Sequence, residues 1–131
     1  MRFFSTLLVV FWGGVALEQP SFKQNYTKAN ILNEDGLFSL AIRLYDKMLV
    51  EQRDNANIHY KAGRAHLDMG VDKGKALPHF QAAAKRIENF YDPLDPYIQT
   101  APVETYYYLG HTFHLLSELD SVEWYFDLFL D

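Results

Sequence analysis

The sequence predicts an all-α fold, a helical solenoid of three helix-turn-helix pairs, and three observations carry that expectation. A small residue is followed seven positions later by another small residue in three places: Ala29 and Gly36, Gly63 and Gly70, Gly110 and Ser117. Behind each couple stands an apolar triplet spaced four and three: Ala41, Tyr45 and Met48; Ala76, Phe80 and Ala83; Val122, Phe126 and Phe129. At 3.6 residues per turn such a triplet is one stripe on a helix. The paired small residues let two helices approach closely and turn between them. Finally, hydrophobic residues make up 49% of the 131 positions and aromatic residues 16%, enough apolar side chain for a core and too much for a disordered chain.

The elements follow in order. Helices are expected near 21–34 and 37–51, near 55–69 and 74–90, and near 103–116 and 119–131. Pro78 and Pro102 fit because each falls in the first turn of its helix, where a missing amide donor costs little. Ala41 and Ala76 are 35 residues apart, one more than the 34-residue period of a tetratricopeptide repeat, and the extra residue falls in the turn Gly70 to Gly74. Ala76 and Val122 are 46 apart, which leaves an insertion of about twelve residues. It is visible as the stretch 91–102, where Pro93, Pro96 and Pro102 forbid a continuous helix. The repeats thus lie at about 21–54, 55–90 and 102–131. Each amphipathic pair needs its neighbour to bury its apolar face.

The first sixteen residues read differently. Met1 and Arg2 precede an apolar run from Phe3 to Trp12, and Gly14 and Ala16 stand where signal peptidase takes small side chains. Residues 1–16 are therefore expected to be a secretory signal peptide cut before Leu17, leaving 17–131 as the repeat domain. The alternative is an uncleaved anchor, although the apolar stretch is short for a helix that spans a bilayer.

Charge and cysteine usage narrow the function. The formal net charge is −5, and every acidic residue lies after position 17, so no clustered positive surface suits nucleic acid. The chain has no cysteine, which excludes a disulfide framework, thiolate zinc sites and an acylated cysteine. No nucleophile elbow or phosphate-cradling glycine loop occurs either. Asp92 and Asp95 lie in the proline-rich stretch, where turn-making explains them. No catalytic residue, cofactor or metal is expected. His111 and His114, with Glu118 beyond, are the one thinkable metal set, but Glu118 falls at a turn.

Several segments resemble a particular subfamily. They are 55–63, from Asn55 through His59 and Tyr60 to Gly63; 75–83, from Lys75 to Ala83; Asn89 to Pro93; and Ala101-Pro102 continuing to Gly110-His111. The chain resembles the amino-terminal tetratricopeptide module of Bacteroidetes-type periplasmic proteins, in which the repeats precede a β-propeller and an OmpA-like peptidoglycan-binding domain. The likeness covers about residues 27–131, insertion included. It implies a periplasmic, outer-membrane-associated scaffold of the gliding and type IX secretion machinery, with other envelope proteins as partners. The propeller and peptidoglycan domain do not occur here, so peptidoglycan attachment is not carried over.

In such an array the first helix of each pair lines a concave groove. Its outward stripe gives Tyr26, Asn30 and Asn33 from the first pair, and Asn57, Tyr60, Arg64 and Asp68 from the second. The third pair gives Glu104, Tyr107, His111 and His114. Asn can hold a peptide backbone by paired bonds, and Tyr offers amphipathic contact area. The alternative function is a structural, self-associating module, or a piece of a larger OmpA-like protein. It would act through the aromatic last helix around Trp124.

Overall fold

The structure, a computed structural model, describes residues 20–116 and 119–131. The expected signal peptide and its cleavage site, and Ser117 and Glu118 of the last turn, lie outside the described residues. Among the described residues six α-helices follow one another: α1 (Phe22–Glu34), α2 (Phe38–Glu51), α3 (Ala56–Met69), α4 (Ala76–Ala83), α5 (Glu104–Leu115) and α6 (Leu119–Leu130). A 3-10 turn, Lys73–Lys75, leads into α4. No strand occurs among the described residues; Ile87 and Ala101 form one isolated parallel bridge. Each helix packs on its neighbours in the chain, and α3 also reaches α5.

Local chemistry sets the helix ends. Ser21 caps α1 by accepting from the Gln24 amide at 3.1 Å while Gln24 Oε1 accepts from the Ser21 amide at 2.8 Å, a reciprocal capping box. Asn55 caps α3 by accepting from the Ile58 amide. Gly36 (φ +78°) and Gly70 (φ +74°) reverse the chain after α1 and α3 in the left-handed conformation that glycine adopts without strain.

The repeated small residues have the steric role their spacing suggested. A Cβ on Gly63 would lie 2.8 Å from the Phe80 ring, and one on Gly110 would lie 2.7 Å from the Phe126 ring. The triplets Ala41, Tyr45, Met48 and Ala76, Phe80, Ala83 are wholly buried. Two apolar clusters result. One joins α1, α2 and α3 around Tyr26, Tyr45 and Ile58; the other joins α3, α4, α5 and the insertion around Tyr60, Phe80 and Leu109. Helix α3 belongs to both.

One element departs from expectation. The fourth helix was expected over 74–90, yet α4 ends at Ala83. Pro78 sits in its first turn, as the helix start requires. Beyond Ala84 the chain leaves helical geometry because it meets the returning insertion. The Ala101 amide donates to Arg86 O at 2.8 Å and the Glu88 amide donates to Ala101 O at 3.0 Å. Tertiary pairing thus overrides a helix-permissive sequence. The insertion effectively begins at residue 84 rather than 91. No helix among the described residues is long and apolar enough to cross a membrane.

Candidate functional site

The insertion folds back onto the faces of α1 and α3. The Pro93 carbonyl is a hub: it accepts from the Tyr26 hydroxyl at 2.9 Å, from Lys61 Nζ at 3.0 Å and, more distantly, from Asn30 Nδ2 at 3.4 Å. Asn57 binds the loop a second time. Its Nδ2 donates to Ile98 O at 3.1 Å and to the Tyr26 hydroxyl at 3.0 Å, while its Oδ1 accepts from the Tyr91 hydroxyl at 2.6 Å. The Ala56 amide adds a bond to Gln99 O. A backbone carbonyl has two lone pairs and can therefore serve more than one donor at once. Asp92 and Asp95 shape the turn by accepting from the Leu94 and Tyr97 amides at 2.9 and 2.8 Å.

Beside this anchored loop lies an open pocket of about 450 Å³, within the size range of ligand pockets. Helix α1 supplies Asn30, Asn33 and Glu34, and α3 supplies Tyr60, Lys61 and Arg64. The far wall is Glu104 of α5 with Pro102, and the loop closes the pocket with Tyr91, Pro93 and Leu94. Tyr45 reaches in from α2, its hydroxyl donating to Asn30 Oδ1 at 3.2 Å.

Burial dominates the electrostatics. Desolvation pushes the Tyr26 phenol up to about 12 despite its bond from Asn57, and it raises Tyr45, Tyr60 and Tyr91 as well. These phenols therefore act as neutral hydrogen-bonding groups. Desolvation also lowers the Lys61 ammonium to about 8, against a raising influence from Glu34. Arg64 stacks on the Tyr108 ring, with its guanidinium carbon 4.3 Å from the centroid. Its outer nitrogens meet the Tyr60 hydroxyl at 3.4 Å and Asp68 at 3.8 Å. Two buried polar atoms on the pocket lining have no partner: Asn33 Oδ1 and Arg64 Nε.

Of the expected groove residues, Asn30, Asn33, Tyr60, Arg64 and Glu104 line one pocket, and Asp68 stands behind Arg64. Tyr26 and Asn57 differ from the expected outward placement. Both are fully buried, because the loop covers them and takes their hydrogen bonds. Tyr107, His111 and His114 do not line the pocket. Tyr107 packs toward α6 against Phe126 and Phe129, with His111 stacked on it. His114 is exposed. Lys61 was missed although its signal was present: 57, 61, 64 and 68 form a cleaner helical stripe than 57, 60, 64 and 68. Tyr91, Pro93 and Leu94 had no comparable signal, since only the return of the loop puts them there.

The opposite side of α3 carries two imidazoles, His59 and His66, which face His79 of α4. His59 Nδ1 and His79 Nδ1 are 3.0 Å apart, His59 Nε2 is 2.8 Å from Arg53 O, and the His66 and His79 rings stack. A carbonyl only accepts, so His59 carries its proton on Nε2 and His79 donates through Nδ1. Desolvation, helped by His59 and His66, lowers His79 to about 4, and His66 is lowered by desolvation too. Among the described residues no group of three or more His, Asp or Glu side chains is placed to hold a metal ion. Compared with known proteins, the sequence matches no family model and no curated protein.

Proposed function

We propose that this chain is a protein-protein interaction module of the tetratricopeptide type, and that the pocket between α1, α3 and α5 is where its partner docks. The observation that carries this reading is the pocket itself. Three helices, each the first of its pair, contribute polar side chains to one open cleft. The 35-residue period, the helix pairs and the likeness to periplasmic Bacteroidetes modules support the same reading. The partner is then a protein of the bacterial cell envelope, at an outer-membrane assembly, and the module acts in the periplasm without catalysis.

A second reading has its own support. On α6, Trp124 and Leu130 are 58% and 77% exposed, and such apolar surface suits self-association. Affinity capture from envelope extracts separates the two. The triple variant Asn33→Ala, Arg64→Ala, Glu104→Ala is expected to lose the captured partners, while Trp124→Glu keeps them. Retention by the triple variant, with loss in Trp124→Glu and a dimer-to-monomer change in light scattering, would favour α6 instead.

A further inference from the structure

Resting on the docking reading, we infer that the pocket recognises an acidic side chain, a single Asp or Glu carboxylate within an extended segment of the partner. Lys61 and Arg64 stand three residues apart on α3, so both face the same cleft. Neither is matched by a well-placed anion. Among the described residues no carboxylate pairs with Lys61; its contacts are the neutral Pro93 carbonyl at 3.0 Å and the Tyr26 ring, 5.1 Å from centroid to Nζ. Arg64 has Asp68 only at 3.8 Å, and its Nε is buried without an acceptor. Lys61, held against a carbonyl and one ring, and Arg64, held against one ring and a hydroxyl, have lost water and gained little charge in return. One carboxylate entering the pocket between Lys61 Nζ and the outer guanidinium nitrogens of Arg64 supplies the close anion that both lack.

The surroundings set the limits. Glu34 and Glu104 stand exposed on the α1 and α5 walls of the same pocket and repel further negative charge. That fits one carboxylate and disfavours a phosphate or a run of acids. Lys61 and Arg64 lie on the middle helix of the three that line the pocket, with Leu94, 71% exposed, beside them. The bound chain therefore has a surface on either side of the acid, as an internal residue needs and a chain end does not.

The full chain, titrated with three short peptides, tests this through the ¹⁵N resonances of Arg64 Nε and Lys61 Nζ. Acetyl-Leu-Glu-Leu-amide is expected to shift both saturably and to hold Lys61 protonated to higher pH. Acetyl-Leu-Gln-Leu-amide should leave them in place, and Arg64→Gln should weaken the Glu peptide about tenfold. Equal shifts with the Gln peptide would overturn the carboxylate and leave docking intact. Saturation only by acetyl-Leu-Gln-Leu with a free terminus would overturn the internal acid in favour of a chain end. No saturation by the Glu peptide at millimolar concentration would overturn the inference outright, while capture by the triple variant judges docking separately.

Discussion

Helix α3 has two working faces, and they are built on opposite plans. On one, Gly63 admits the Phe80 ring, and His59 and His66 pack in a seam against His79 of α4. On the other, Asn57, Tyr60, Lys61 and Arg64 meet a loop more than thirty residues away in sequence and a solvent-filled cleft. The seam is held by shape and by the exclusion of charge. The pocket face is held by directional bonds to carbonyls that only the fold can deliver, and it leaves charge unmatched. Helices can thus serve stability and recognition at once, provided that the unmatched charges are kept off the packed side.

Changes on either face should reveal the difference. The largest effect is expected from Phe80→Ala, which empties a fully buried ring site in the seam and should cost about 4 kcal/mol in urea unfolding. Asn57→Ala removes three bonds at once and strands the Ile98 carbonyl and the Tyr91 phenol; about 3 kcal/mol is expected, with hydrogen exchange quickening first at the Ala56 amide. Mild acid probes the seam. Because His79 titrates at about 4 in the fold against 6.5 when unfolded, the unfolded chain binds its proton first. Stability should be intact above pH 6.5 and fall by up to roughly 3 kcal/mol as pH drops toward 4, a loss that His79→Gln should blunt. The smallest effect is expected from Tyr91→Phe, which forfeits one bond to buried Asn57 and should cost about 1–2 kcal/mol with the seam unchanged. Equal losses across both faces, or a pH profile flat between 6.5 and 4, would break the contrast.

What could be read from the sequence divides along the same line. The seam was legible because it depends on local spacing: Gly63 against Phe80, Gly110 against Phe126 and the positive-φ turns at Gly36 and Gly70 all follow from the small-seven-small pattern. Five pocket residues were legible from the outward stripe of the first helices. The burial of Tyr26 and Asn57 was not, because it is caused by a loop whose path no helical period encodes. The early end of α4 shares that cause, since Ala84 to Phe90 carries no helix breaker and yields only to pairing with Ala101. Lys61 was legible and overlooked, standing on the stripe at the position between Asn57 and Arg64.

The central claim is that the partner occupies the pocket between α1, α3 and α5. A photo-crosslinking residue placed singly at Asn33, Arg64 or Glu104, and as controls at the outlying exposed positions Val50 and Val71, tests it most directly. The account predicts one shared protein adduct from the three pocket positions and none from the controls. Adducts from Val50 or Val71 with none from the pocket would contradict it.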